Sequence, residues 1–364
     1  MIVDSIVIDV VKIILPAVVT FVVGIAITPY ISNYLYKHKM WKKKAGKVDA
    51  TGSDTPIFNM LHKDKEVGTP RLGGTIIWIS ASIVFVAVWV IAQLSIPGLE
   101  IFDKLEFISR NQTWIPFATL LIGALVGALD DILEIKGSGS HIAGGLSLKK
   151  RLAVVGLIGL GVSAWFYFKL GVSAIHLPIF GALDIGILII PFFIAVIIFI
   201  YASGVIDGLD GLSGGVFATV YAAYSIIAFS LNQINLAAFC AALVGGILAF
   251  LWFNIPPARF YMSETGSMAL TITLAVVAFM TDELGGGIGL FVLPIVAMPL
   301  IITALSSLIQ VLSKKLRKGK KVFLSAPIHH HFEAMGWPAY KVVMRFWVFS
   351  VITAGLGIVI ALIF

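Results

Sequence analysis

Ten apolar runs recur along this 364-residue chain, centred near residues 20, 83, 121, 160, 194, 222, 243, 274, 300 and 353. Each approaches the ~20 residues a helix needs to cross the hydrocarbon core of a bilayer. Inside lipid, backbone N–H and C=O groups find partners only within a helix or a closed barrel. The runs therefore predict an all-α, polytopic integral membrane protein with about ten transmembrane helices. Composition agrees: 59% of the residues are hydrophobic and 12% charged, the latter about half the ~25% of soluble domains. The first run has no small-residue cleavage site and reads as a retained span, not a signal peptide. The single cysteine, Cys240, lies inside an apolar run. That excludes a disulfide framework and suits a small packing residue.

Charge sets the expected orientation. Of 26 Lys and Arg residues, nine fall in 36–71, four in 130–151, one in 255–266 and eight in 313–345. These are alternate connections between runs. The opposite side holds only Lys12, Lys104, Arg110 and Lys169. By the positive-inside rule the basic loops are cytoplasmic. With ten spans, both termini are then extracytoplasmic. The net charge of +7 gathers on the inner face, where it attracts anionic lipid headgroups and anionic soluble substrates. No soluble domain is left over to bind nucleic acid. The chain reads as one transmembrane domain, 1–364, without internal repeats. Its longest polar connection is 45–71.

The acidic residues cluster on that same face. Asp130-Asp131 ends the run Leu120–Leu129 and is followed by Glu134. Carboxylates do not suit a helix C-terminus, where the macrodipole already places negative charge. Ionisable groups at span ends are functional candidates by default. Asp207-Gly-Leu-Asp210-Gly follows the run Ile187–Ala202. Its i, i+3 spacing puts both carboxylates on one side of a helical turn, and its glycines let backbone N–H groups approach a phosphate or a base; a tight re-entry turn is the plainer reading. Asn254 and Glu264 flank the segment Ile-Pro-Pro-Ala-Arg-Phe-Tyr261-Met-Ser. A basic loop then carries Ala326-Pro-Ile-His329-His330-His331-Phe-Glu333. Histidine titrates nearest neutrality, and beside so many lysines a triplet suits phosphate handling; a solvated His-rich loop is the alternative. Together the loops offer hard oxygen ligands of the kind that hold Mg2+ on phosphates.

Taken in order, Thr69-Pro70-x-x-Gly73-Gly74, Asp130-Asp131, Asp207-Gly-Leu-Asp210-Gly-Leu, the Asn254 loop and Ala326–Glu333 resemble phospho-N-acetylmuramoyl-pentapeptide transferase. That family lies within the polyprenyl-phosphate N-acetylhexosamine-1-phosphate transferases. The paired Asp and the Asp-Gly-Leu-Asp-Gly segment are shared by the superfamily. The histidine loop, with Gly336-Trp337-Pro338 and Arg345-Phe346-Trp347 after it, marks the muramoyl-pentapeptide branch. The resemblance covers nearly the whole chain and implies ten transmembrane helices with outward termini. It implies transfer of phospho-N-acetylmuramoyl-pentapeptide from its UDP-linked precursor to undecaprenyl phosphate, yielding lipid I and UMP at the cytoplasmic face of a bacterial inner membrane. By position it assigns catalysis to Asp130, Asp131 and His329. It assigns substrate binding to Thr69, Asp207, Gly208, Leu209, Asp210, Asn254, Tyr261, His329 and His330, and Mg2+ to Glu264 and Asp131. The active site would lie on the loops 36–71, 130–151, 203–215, 254–267 and 313–345. The family also suggests a homodimer among membrane lipids.

The chain departs from the family at three positions. Glu264 stands in a Ser-Glu-Thr-Gly-Ser context where the family usually has a metal-binding Asp. Tyr201 and Gly204 replace two Asn residues. One expectation is that space freed at Gly204 accommodates the longer Glu264 beside the ion. The same chemistry on another nucleotide sugar, such as UDP-N-acetylglucosamine for a different surface glycan, stays open, as does a weakly active or silent binding homologue. A transporter is a poorer fit, because transporters place polar groups near the bilayer midplane.

Overall fold

The structure is a computed structural model that describes residues 2–43, 67–94, 105–109, 112–137, 145–282 and 284–364, with side chains from residue 6 onward. Residues 44–66 of the expected loop 36–71, and residues 138–144 of the loop 130–151, lie outside the described residues.

The chain is all-α apart from one hairpin. In order it forms α1 (Ile2–Lys37), α2 (Thr75–Leu94), α3 (Trp114–Lys136), α4 (Leu148–Leu170), β1 (Ala174–Leu177) and β2 (Gly181–Asp184). It continues with α5 (Ile189–Ala202), α6 (Leu212–Ser230), α7 (Ile234–Asn254), α8 (Ser263–Met280) and α9 (Gly289–Val296). The last elements are α10 (Met298–Leu316), α11 (Ile328–Ala334) and α12 (Ala339–Ile363). Among the described residues, ten helices are long and apolar enough to cross a membrane. They coincide with the ten runs. The run centred near 300 is divided, because the helix breaks at Ala297 between Pro294 and Pro299. Proline cannot continue a helix from the preceding turn but suits the first turn of a new one.

Helix α8 is the axle of the bundle, with 94% of its most apolar window buried, against 22% for α1 and for α4. Its neighbours approach closely because they are small at the contact. A Cβ on Gly127 of α3 would overlap the Glu264 carbonyl, and one on Gly123 would lie 2.9 Å from the Ala269 Cα. Backbone approach of this kind supplies packing that lipid cannot. Buried hydroxyls find carbonyls: Tyr221 donates to Leu270 O at 2.7 Å and Tyr224 to Gly289 O at 2.8 Å.

The two ends of the bundle differ. At one, the β1–β2 hairpin is pinned by Asp282, whose Oδ1 accepts the His176 N–H at 2.9 Å and whose Oδ2 accepts the Leu290 N–H at 3.1 Å. Burial raises the Asp282 pKa, although those donors oppose the shift. The other end gathers the C-termini of α1, α3, α5 and α7 with the N-termini of α2, α4, α6 and α8.

Candidate active site

The buried stripe of α3 runs Leu120, Gly123, Ala124, Gly127, Asp130, Asp131, Glu134. This is the i, i+3, i+4, i+7 period of a helix face, so the acidic pair continues a packing stripe. The helix does not end at Asp130-Asp131, as the hydrophobic run suggested. It runs on to Lys136 and is capped by Gly137 at φ 66°. Both carboxylates are fully buried.

The pair divides its work. Asp131 faces the first turn of α8, where helical N–H groups lack carbonyl partners. Its Oδ2 accepts from Thr265 N at 2.9 Å and Thr265 Oγ1 at 2.6 Å, and its Oδ1 from Glu264 N at 3.3 Å and Arg71 Nε at 3.4 Å. Arg71 also reaches Glu134 Oε2 at 2.8 Å, while Lys42 meets Glu134 Oε1 at 3.0 Å. Burial works against the Arg71 charge, yet Glu134 and Asp131 outweigh it and hold the guanidinium above its ordinary pKa. Asp130 turns the other way. Its Oδ2 lies 2.8 Å from Arg151 Nη2, and its Oδ1 accepts from Leu146 N at 2.5 Å. Arg151 Nη1 meets Glu264 Oε1 at 2.6 Å.

A second carboxylate reaches α8 from the turn after α5. Asp207 Oδ2 accepts from Ser263 N at 2.9 Å and its Oδ1 from Ser213 Oγ at 2.7 Å. Asp207 and Asp210 do not share a helical turn. They lie in a tight turn between a 3-10 segment, Ser203–Ile206, and α6, and Asp210 Oδ2 accepts from Ala258 N at 3.2 Å. Asn254 joins the same two segments, accepting from Gly211 N at 2.8 Å and donating to Phe260 O at 2.9 Å. Backbone pairing of Tyr261 with Pro70 and Gly73, at 2.9 and 2.8 Å, draws the Thr69–Gly74 segment alongside. Thr69 and Tyr261 are half-buried there, and Leu209 is buried.

The histidine triplet forms a helix, not a loop. His329 and His330 are buried on α11, and a Cβ on Gly208 would collide with the Nε2 atoms of both. Only glycine lets the Asp207–Gly211 turn sit this close. His330 Nδ1 lies 2.7 Å from Glu333 Oε2, which leaves Nε2 toward the turn. His331 points elsewhere, with Nδ1 accepting from Leu324 N at 3.2 Å.

Residues 113–282 match the profile described as glycosyl transferase family 4. The chain is similar over most of its length to curated proteins named phospho-N-acetylmuramoyl-pentapeptide-transferase. That of Chloroflexus aggregans is 29% identical, covering 98% of this chain and 91% of the relative. That of Geobacillus thermodenitrificans is 34% identical over 81% and 85%. That of Thermoanaerobacter sp. is 34% identical, with coverage of 94% and 96%. The chain belongs to the phospho-N-acetylmuramoyl-pentapeptide-transferase family. The transferase motifs named from the sequence thus lie in one contact network at one end of the bundle, from Thr69-Pro70 through Tyr261, Ser263 and Asp207 to His329 and His330.

The magnesium expectation fares differently. Mg2+ demands near-octahedral ligands at roughly 2.0–2.1 Å. Asp131 spends both oxygens on protein donors, and Glu264 is turned to Arg151. Among the described residues no group of three His, Cys, Asp or Glu side chains could hold a metal. Glu264 and Asp131 as placed do not fit a shared ion. Gly204 faces Ser267 and Thr271, the nearest atoms to a Cβ placed there, at 3.5 and 3.8 Å.

Sequence alone assigns no site role to Arg71, Lys42, Thr265 or Arg151, and marks Glu134 only as the acidic residue that follows Asp130-Asp131. Arg71 reads as an inner-face anchor beside the Gly73-Gly74 pair. Arg151 reads as the last of three basic residues before a span. Their one signal is that each sits at the mouth of an apolar run.

Proposed function

We propose that this chain transfers phospho-N-acetylmuramoyl-pentapeptide from its UDP-linked precursor to undecaprenyl phosphate. The carrying observation is the contact network that joins the acidic pair, the Asp207–Gly211 turn and the histidine helix in a chain of this family. A lipid phosphate oxygen attacks the β-phosphorus of the nucleotide sugar. The bond from that phosphorus to the bridging oxygen breaks, UMP departs with that oxygen, and lipid I remains. One phosphoanhydride replaces another, so no ATP is needed. A phosphate monoester, with its second pKa near ~6, is already largely dianionic at neutral pH. Proton abstraction is therefore a small part of the barrier; positioning two anions is the larger part.

Asp130 is the candidate base or positioner of the lipid phosphate, with Asp131 supporting the helix beside it. Asp207, Gly208, Leu209 and Asp210, with Asn254 and Thr69, frame the nucleotide; Tyr261 stacks on uracil. His329 and His330 present Nε2 atoms to the phosphates. Mg2+ remains part of the proposal: it would neutralise charge on the phosphates as they react, and it commonly takes most of its ligands from substrate and water. The basic loops support a site on the cytoplasmic face of a bacterial inner membrane, with both termini outside. A homodimer is proposed on the resemblance alone.

The test is purified protein with Mg2+, undecaprenyl phosphate and UDP-N-acetylmuramoyl-pentapeptide, scored for UMP. Release of UMP that requires both substrates supports the assignment. Release only with UDP-N-acetylglucosamine would transfer it to another glycan, and no release with either would make the chain a binding homologue.

A further inference from the structure

Four groups converge on one guanidinium. Arg151 Nη2 lies 2.8 Å from Asp130 Oδ2, and Nη1 lies 2.6 Å from Glu264 Oε1. Its Nε donates to Leu146 O at 3.1 Å, and the Tyr201 side chain lies beside the same guanidinium. The backbone closes over the arrangement: a Cβ on Gly145 would come within 3.0 Å of both Nη2 and Asp130 Oδ1. Two of the four groups, Tyr201 and Glu264, are positions at which the chain departs from the family pattern. Two of the three departures therefore meet at one cation.

A guanidinium and a divalent ion make different demands on the same carboxylates. Arg offers a rigid planar fork whose nitrogens hold two acceptors apart. Mg2+ at roughly 2.1 Å from each ligand would draw adjacent ligand oxygens to about 3 Å from one another. Here Asp130 and Glu264 each bind a different nitrogen of the fork, so the fork stands between them. The extra methylene of Glu264 is used in reaching Nη1. Asp131 cannot complete a metal set, because turning it would strip the first turn of α8 of its acceptors. Removing a partner from buried charges like these is costly.

We propose that Arg151 is the fixed cation of this site. It bridges Asp130 and Glu264 as a positioning residue, in the place where an ion shared by those carboxylates would otherwise sit. In the nucleotide-free protein these carboxylates then bind no divalent ion. Taking the guanidinium away leaves two unpaired carboxylates and makes a divalent site.

Mn2+ titration of detergent-purified protein, followed by the loss of the free-ion EPR signal, reads this directly. It uses no nucleotide sugar and no lipid phosphate, so its outcome is independent of UMP release. The parent should take up no ion that depends on Glu264. Arg151→Gln should bind Mn2+ roughly ten-fold tighter than the parent or better, the scale on which partners of metal ligands act. Arg151→Gln combined with Glu264→Gln should lose that gain, and Arg151→Lys, which keeps a cation there, should not show it. Ion uptake by the parent that Glu264→Gln leaves untouched supports the proposal, since that ion sits elsewhere. Uptake by the parent that Glu264→Gln abolishes overturns it. So does a monodisperse Arg151→Gln protein that binds no more Mn2+ than the parent. If Arg151→Gln does not purify as a single species, the parent and Glu264→Gln arms decide the matter alone.

Discussion

Asp130 and Asp131 are adjacent in the chain and chemically identical, yet their partners assign them different duties. Asp131 takes four protein contacts, three of them from the first turn of α8. Asp130 takes one backbone donor and one guanidinium. Asp131→Ala is therefore expected to cost about 3–5 kcal/mol, the usual loss when one member of a buried charge network is removed. Unfolding in detergent by SDS titration measures it. Asp130→Asn keeps the volume and the Leu146 contact and should cost clearly less stability than that, while UMP release falls by roughly 100-fold or more. Equal loss of stability in the two variants would contradict this division. Gly208 gives the third residue-scale expectation. Gly208→Ala drives a methyl into the Nε2 atoms of His329 and His330, so nucleotide KM should rise roughly ten-fold or more, since a displacement near ~1 Å at a reacting site is costly. An unchanged KM would place the nucleotide away from the histidine helix. None of these distinctions is visible in the letters. The sequence marks Asp130-Asp131 as a pair, and only the rotation of about 100° between successive helix positions sends them to different partners.

Among the elements, α11 and its approach are held by an unassuming residue. Gln310 on α10 accepts from Val322 N and Phe323 N at 3.0 Å each and donates to Phe323 O at 2.9 Å. Ser306, one turn earlier, accepts from Ile328 N at 3.0 Å. Gln310 thus clamps the segment that leads from α10 to the histidines. Gln310→Ala should raise nucleotide KM several-fold while kcat changes less, because the loss falls on ground-state positioning. Steady-state UMP release against nucleotide concentration checks it, and a kcat-only effect would contradict it. The long helices were legible in the sequence because 18 or more apolar residues leave few alternatives. The division of the last-but-one span at Ala297 had its signal in Pro294 and Pro299. The α11 helix did not, since three histidines have no hydrophobic period and a seven-residue helix is held by its neighbours, not by propensity. The site motifs were legible as types of chemistry. The guanidinium links were not, because a basic residue at a span mouth looks the same whether it anchors to lipid or turns inward.

For the whole molecule the basic loops give an orientation that labelling can test. A cysteine at Ser325, beside the histidine helix, should resist an impermeant thiol reagent in intact cells. One at Ala182, exposed on the hairpin, should react. Reaction at Ser325 from outside would reverse the orientation and the side from which a nucleotide arrives. The ion pairs also bear on how the protein is made. During synthesis α3 must enter the membrane with three acidic side chains in its last two turns. An Asp near the middle of a span costs about 2.5–3.5 kcal/mol to insert, less near its end. Lys42 and Arg71, the cations that meet Asp131 and Glu134, precede α3 in the chain, so they have already left the ribosome when it emerges. Asp130 waits only for Arg151, in the first turn of the next span. Charge compensation thus follows the order of translation. A chain with Arg71 and Arg151 both neutralised would be expected to fail at insertion, before any question of catalysis arises.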